Sequence, residues 1–342
     1  MRKIRIFETF SGYGSQLLAL KRLKEKYQDF EFESVGHCDI DKYANIAYEA
    51  LHGENTKNYG DITTINWDEV DDFDLLTYSF PCQDISVLGK QNGFAENSDT
   101  RSSLLWECMR PVQIKKPKYL LMENVKAILQ KKFSDSFNKW LKWLEEQGYT
   151  NYYKVLKASD YGVPQERERV FMVSILNDTD GFSFPEPVPL TKTLDDIIET
   201  DASPELFSKA VNIDNGTPIY NNVRVNGAIN CIDTNTDKYQ WVYTFIKKAY
   251  KERALTITTK VANCNYYVAY PIQDISTQYN EWLRKPTPME CFRLMDVDDN
   301  DIDKILSSNI PKTQLYKLAG NSIVVSCMYH IFEKLFIKEK EE

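Results

Sequence analysis

Apolar positions in the first half of the chain come in short continuous runs, separated by segments with helical spacing. KIRIFETF (3–10) predicts a strand, and a glycine turn leads from it into SQLLALKRLKEKY (15–27), whose apolar residues recur every three or four positions. FEFESVGHCDI (30–40) predicts a second strand, followed by a helix over DKYANIAYEALHG (41–53), with Asp41 at its start and Gly53 at its end. DLLTYSF (74–80) is a third apolar run. LLWECMRPVQIKK (104–116) is helical up to the break at Pro117, and KYLLMENV (118–125) is another buried strand. FNKWLKWLEEQGY (137–149) is an amphipathic helix closed by Gly148, and YYKVLKA (152–158) and RVFMVSIL (169–176) are further strands. This alternation predicts an α/β fold with a doubly wound, mainly parallel sheet.

The rhythm stops near residue 178, where NDTDGFSFPEPVPLTKT (177–193) is rich in turn formers. Residues 186–283 are irregular and rich in Asn, Thr and Tyr, and they read as a second, smaller domain. From Arg284 helical spacing resumes in TPMECFRLMDV (287–297), and the chain ends in a Gly-Asn-Ser turn that feeds a long amphipathic helix. The expected organisation is one domain from 1–185 plus 284–342, interrupted by another over 186–283.

Composition adds few constraints. Among 342 residues, 42 Lys and Arg face 50 Asp and Glu, for a net charge of −8. That balance disfavours a polyanion partner only if the basic residues are evenly spread, and QIKKPK (113–118), QKK (130–132) and IKKAYKER (246–253) show that they are not. The seven cysteines are odd in number, scattered and without a C-x-x-C pair, and the three histidines do not cluster, so neither a disulfide framework nor a metal site is expected. No run approaches the length of a membrane span, and the first residues read as a strand rather than a secretory signal, which makes a cytoplasmic location the expectation.

The chemistry-bearing residues fall at predicted strand ends, where an open α/β sheet binds its ligands. Gly12 and Gly14 allow a tight turn and close approach of a ligand to the backbone, and Phe10 offers a flat face. Asp39 ends the second strand, a common place for a carboxylate that takes ribose hydroxyls, with Ile40 beside it. Asp61 and Ile62 follow in GDIT, suited to an adenine edge and face. Together these favour an adenosine-bearing cofactor without separating a nicotinamide from S-adenosylmethionine. Cys82 follows Pro81 at the root of a long polar segment, QDISVLGKQNGFAENSDTRSS (83–103), a position suited to a nucleophile. No histidine lies near it in sequence, so activation must come from a lowered thiol pKa. Glu123 follows four apolar residues, and Arg167 and Arg169 alternate so as to share one face.

In order along the chain, FETFSGYGS, DIDKYA, GDI, SFPCQDIS with GKQNGF, MENV, DYGVPQERERVF, RKPTPMECFRLM and AGNSIVV closely resemble the cytosine-5 DNA methyltransferases of bacteria and phage, over residues 1–178 and 284–330. The resemblance implies S-adenosylmethionine as methyl donor, S-adenosylhomocysteine as product, no metal, and duplex DNA as substrate. Cys82 would add to carbon-6 of a flipped-out cytosine, Glu123 would hold the ring nitrogen and amine, and Arg169 with Arg167 would orient base and carboxylate. The cofactor would meet Glu8, Phe10, Gly12, Gly14, Asp39, Ile40, Asp61, Ile62, Pro81, Leu104, Asn321 and Ser322. Asp39 stands where the family more often has Glu, and Glu8 departs from the family's usual acid in the first strand. The loop 83–103 would close over the base, with Leu88 near its tip filling the gap in the duplex and Gln83 and Ser86 touching DNA. Residues 186–283 take the place of the target-recognition domain. There Thr256 and Ile257 resemble the pair that approaches the target, while Lys247, Lys248, Lys251, Arg253 and Lys260 suit phosphate contact.

The resemblance further implies a monomer encoded by a bacterium or phage, acting in restriction-modification or phage DNA protection, with a cognate restriction endonuclease as a separate partner. Two alternatives share the fold: a tRNA cytosine-5 methyltransferase, which typically carries PPCQ where this chain has SFPCQ, and a non-catalytic DNA-binding relative, which would have lost Cys82, Glu123 or the arginines. A nicotinamide oxidoreductase leaves PCQ and ENV unexplained.

Overall fold

The structure is a computed structural model that describes residues 3–86, 91–96, 98, 100–193, 196–197, 199 and 286–337, and the backbone of four short strands between 207 and 284. A six-stranded sheet forms its centre. The strands are β1 (Ile4–Thr9), β2 (Phe32–Cys38), β3 (Leu75–Tyr78), β4 (Tyr119–Val125), β5 (Tyr149–Lys157) and β7 (Glu168–Leu176); the short β6 (Gln165–Glu166) lies outside this sheet. Their order is β2-β1-β3-β4-β7-β5. β1 pairs in parallel with β2 and β3, and β3 with β4, whereas β7 pairs antiparallel with both β4 and β5. Only β7 therefore runs against the rest, and the expected mainly parallel sheet is found with one reversed strand near its edge.

Helices cover both faces. On one side α1 (Ser15–Lys26), α2 (Lys42–His52), α5 (Pro288–Arg293), α6 (Asp299–Ser307), α7 (Lys312–Asn321) and α8 (Val325–Phe336) bury Leu20, Ala47, Phe292 and Ile331 against Ile6 and Val173. On the other side α3 (Met109–Lys115) and α4 (Ser134–Glu146) bury Val112 and Trp140 against Phe7, Leu76 and Met122. Alternate residues of one strand thus feed two cores, as a strand with both faces covered requires. The C-terminal helix returns to the first domain as expected, tied through Glu333 to Lys26 at 2.7 Å and Tyr27 at 2.8 Å.

Three details depart from the expected organisation. Gly320 and Asn321 are the last residues of α7, not an isolated turn, and the bend into α8 occupies Ser322–Val324. The chain after 185 does not leave the first domain at once. Val188 bridges to Tyr161, Ile197 is buried in the α1/α8 core, and Glu199 N–H donates to Glu290 at 2.8 Å. The packing of the first domain thus extends to Glu199, past the boundary placed at 185. Finally, β2 carries a bulge: Ile6 pairs with Ser34 but Phe7 with Gly36, leaving Val35 as the extra residue.

The order of strands reverses between β1 and β3, which opens a crevice beyond their carboxyl ends. Its wall is set by α2, whose N-cap Asp41 accepts from Tyr43 N–H at 2.9 Å and Ala44 N–H at 3.3 Å, and pairs with Lys317 of α7. Replacing Asp41 by Ala is expected to cost about 1–2 kcal/mol, read as a lower urea midpoint at unchanged m-value, whereas Asp41→Asn retains most of the cap.

Candidate active site

The turn after β1 lines the crevice. Phe10, Gly12 and Gly14 have φ of 53°, 56° and 77°, a left-handed sequence that only glycine adopts without strain. A Cβ on Gly12 would meet no atom within 4 Å, so the space beside it is open, whereas one on Gly14 would strike the Tyr48 ring at 2.8 Å. Asp39 projects from the end of β2, where its Oδ2 accepts Gly12 N–H at 2.9 Å and its Oδ1 accepts Asp41 N–H at 2.8 Å. Burial raises its pKa, opposed by these two backbone donors. Next to it Ile40 is 76 % exposed, an apolar side chain with nothing to cover it. Asp61 is exposed and caps the following turn through Thr63, while Ile62 is buried beneath it. An apolar face at Ile40, a half-buried Phe10, a backbone-anchored carboxylate and open space over Gly12 fit a ligand with a flat ring, a diol and a polar tail.

Glu8 does not line this crevice. Its side chain is fully buried on the α2 side of the sheet and accepts from the Tyr48 hydroxyl at 2.7 Å. Burial pushes its pKa up to about 8, although the Tyr48 hydroxyl and Lys21 pull it down. A cofactor contact expected of Glu8 is thus replaced by a structural one.

The second cluster lies at the ends of β3 and β4. Phe80 and Pro81 lead from β3 to Cys82, whose carbonyl accepts from Ile85 and Ser86 N–H at 3.0 and 2.8 Å. Two side chains fix this loop. Asn124 of β4 donates to the Phe80 carbonyl at 3.0 Å, and the Ser102 hydroxyl donates to the Pro81 carbonyl at 2.6 Å. Asp84 closes the base of the following loop, accepting Gly93 N–H at its carbonyl and Arg101 N–H at its carboxylate. Ser102 was not expected as a site residue. Asn124 stood beside Glu123 in the sequence, but the partner it holds is 44 positions away.

Glu123 is 8 % exposed and faces Arg169, with Nε 3.1 Å from its Oε1. The pair is ionic without an aligned hydrogen bond, and Oε1 accepts none. Burial raises the Glu123 pKa, and Arg169 and then Arg167 oppose it. Burial likewise raises the Cys82 thiol; Arg169 lowers it, Glu123 raises it and Arg167 lowers it. The charges of Arg169, Glu123 and Arg167 thus all act on the Cys82 thiol. The two arginines differ, however. Arg167 is buried and donates to the carbonyls of Gly320 at 3.2 Å and Ser322 at 2.6 Å, so it ties β7 to the bend between α7 and α8. That leaves Arg169 as the arginine that meets the carboxylate. Asn321 is exposed beside this bend, Ser322 is buried in it, and Leu104 is half-buried after the loop.

Of the expected DNA contacts, Gln83 is exposed and bonds Arg101 at 3.0 Å, and Ser86 is half-buried. Leu88, Lys247, Lys248, Lys251, Arg253, Thr256, Ile257 and Lys260 lie outside the described residues. The backbone of Ala254–Leu255 does pair in parallel with Gln165–Glu166, immediately before Arg167. Among the described residues no group of His, Cys, Asp and Glu is placed to hold a metal, and no helix is long and apolar enough to cross a membrane.

A family model described as C-5 cytosine-specific DNA methylase matches residues 4–337. The chain is 37% identical to Type II methyltransferase M2.ScrFI of Lactococcus lactis subsp. cremoris, over 97% of this chain and 99% of that protein. It is 31% identical to Type II methyltransferase M.HhaI of Haemophilus parahaemolyticus, over 96% and 93%. Among solved structures, the Entamoeba histolytica methyltransferase EhMeth superposes with a TM-score of 0.71 at 18% identity, over 99% of this chain and 100% of that one.

Glu8 yields a test of the buried acid. The folded state holds the Glu8 proton up to about pH 8, whereas an unfolded chain releases it near 4.5, so this residue's contribution to stability falls as pH rises through that window. Glu8→Gln keeps the shape and the acceptor for Tyr48 without the charge. Urea unfolding from pH 5 to pH 8.5 should show Glu8→Gln gaining on the parent as pH rises; parallel curves would mean that Glu8 ionises freely.

Proposed function

Since the chain belongs to the C-5 cytosine-specific DNA methylase family and is a DNA (cytosine-5-)-methyltransferase that uses S-adenosylmethionine, we propose that Cys82, Glu123 and Arg169 carry its chemistry and that the crevice at Phe10–Gly14, Asp39–Ile40 and Asp61–Ile62 holds the methyl donor. The observation that supports this most directly is the buried Glu123 carboxylate paired with Arg169 at 3.1 Å, with both charges acting on the Cys82 thiol.

Carbon-5 of cytosine is a weak nucleophile. A bond from Cys82 Sγ to carbon-6 places the electron pair of the 5,6 double bond on the ring, where Glu123 binds the ring nitrogen and exocyclic amine as charge develops. The raised proton affinity of Glu123 suits it to share a proton with that nitrogen. Arg169 holds the Glu123 carboxylate in place and favours the thiolate of Cys82. When bound, S-adenosylmethionine supplies an electrophilic methyl group, which carbon-5 takes while the donor leaves as S-adenosylhomocysteine. Loss of the carbon-5 proton then restores the double bond and expels the Cys82 thiolate. The base must leave the duplex to reach Cys82, and residues from about 200 to 283 are proposed as the target reader. Loop 83–103, closed at its root by Asp84, is proposed to cover the flipped base. A cytoplasmic modification role beside a separately acting endonuclease is proposed from the type II relatives. The likeness to solved Dnmt2 structures, at 18–20% identity, is one of fold.

The test is expression in a host free of cytosine methylation, followed by mapping of 5-methylcytosine across the genome; a single recurrent sequence should be marked, and an unmarked genome with folded protein present would overturn the reading. In purified protein, Cys82→Ala should abolish methylation while S-adenosylhomocysteine still binds, and Glu123→Gln should lower kcat by about 10²–10³-fold. DNA affinity should fall steeply between 50 mM and 200 mM salt, and a flat response would remove the proposed phosphate contacts.

A further inference from the structure

The left-handed turn at Phe10–Gly14 must hold its shape before a ligand arrives, since a non-glycine residue such as Phe10 at φ 53° costs about 1–2 kcal/mol that other conformations avoid. Its backbone is pinned to the end of β2 by Ser11 N–H to the Cys38 carbonyl at 3.2 Å and by Gly12 N–H to Asp39. One side chain also reaches it. His37 Nδ1 lies 2.8 Å from the Ser11 hydroxyl, with both residues buried. The His37 ring stacks on Tyr48 with centroids 3.7 Å apart and planes 10° from parallel, and the Tyr48 hydroxyl donates to Glu8 at 2.7 Å. A continuous buried column therefore runs from the core of β1 through α2 to the turn.

The β2 bulge makes this contact. Ser34 faces the α1/α2 side with Ile6, and regular alternation would turn His37 to the opposite core. The extra residue at Val35 resets the register, so His37 pairs with Glu8 and shares its face. The backbone of His37 is fixed from the other side too, by His37 N–H to the Lys57 carbonyl at 3.0 Å and Tyr59 N–H to the His37 carbonyl at 2.8 Å.

We infer that His37 is a positioning residue for the methyl donor: through Ser11 it fixes the turn in its binding conformation, so that the cost of ordering falls on folding rather than on binding. The inference rests on the proposed cofactor role of this turn. Burial lowers the His37 pKa to about 4, which keeps the ring neutral, as its stack in the core requires.

The test is calorimetric binding of S-adenosylhomocysteine to the parent, Ser11→Ala, His37→Phe, the double variant and His37→Asn, with unfolding midpoints measured on each. His37→Phe keeps the stack and loses the bond, whereas His37→Asn offers a polar atom near the place of Nδ1. Each of the first two should weaken binding about fivefold or more, the double variant should be no weaker than the weaker single one, and His37→Asn should stay within about twofold of the parent. For His37→Phe the loss should appear in KM for S-adenosylmethionine, with kcat at saturation and KM for DNA retained. Parent-like binding by Ser11→Ala and His37→Phe, losses that simply add, or a loss in kcat alone would overturn the inference. Asp39→Ala separates the two levels: if it binds as tightly as the parent, the cofactor reading of the turn itself falls; if it binds weakly while the His37 and Ser11 variants do not, only the inference falls.

Discussion

The contact between Arg169 and Glu123 is the constraint around which the catalytic half is arranged. A carboxylate at 8 % exposure requires a cation within about 4 Å or a shift to its neutral form, and Arg169 meets it at 3.1 Å. The cation comes from β7, the one reversed strand. Because β7 runs antiparallel to β4, Arg169 at its beginning lies opposite Val125 at the end of β4, next to Glu123. A parallel strand in that place would set its beginning at the far end of the sheet, away from the carboxyl ends where Cys82 sits. The reversal is thus what allows an arginine early in one strand to meet a glutamate late in another.

Arg167, two residues before Arg169, joins the catalytic cluster to the C-terminal segment. Arg167 gives its guanidinium to the carbonyls of Gly320 and Ser322, which places the bend between α7 and α8 against the site. One guanidinium thereby joins segments more than 150 positions apart. Asn124 does comparable work between β4 and β3 by holding the Phe80 carbonyl, and Ser102 holds that of Pro81. The backbone on the N-terminal side of Cys82 is fixed at two consecutive carbonyls, while the side after it turns back through Ile85 and Ser86 onto its own carbonyl. A nucleophile held on both sides needs little reorganisation when it attacks.

The layout of strands and the family were legible because both rest on local signals: apolar runs of strand length, glycines at turns, and ordered motifs such as PCQ and ENV. What escaped the reading depends on long-range register. Nothing local marks β7 as antiparallel, since a buried strand has the same composition in either direction. Arg167 and Arg169 were read as sharing a face and acting together on base and carboxylate, but their partners come from different elements, a carboxylate on β4 and carbonyls after α7. The segment 186–199 was assigned to the second domain on its proline-rich, irregular composition, yet a strap needs no periodicity to bury a residue such as Ile197. Glu8 was placed on the cofactor by its position in a motif, and only the packing of Tyr48 over it shows that it belongs to the interior.

The bulge in β2 shows how a small irregularity links these levels. An ideal strand would carry His37 into the α3/α4 core, where the ring would lack Ser11, and would bring Gly36, which has no side chain, opposite Glu8. One extra residue exchanges the two, and the space that Gly36 leaves against Phe7 is filled by the ring of Tyr59, 5.6 Å from Phe7. Gly36 is itself required there, because a Cβ would lie 3.1 Å from Phe7 and closer still to Tyr59. The irregularity thus accommodates a polar ring on one face and an aromatic pair on the other. It also divides the labour of the crevice. Asp39 and Ile40, just past the bulge, are left open to a ligand, while His37, one turn of the pleat earlier, is turned inward to support the loop that faces them.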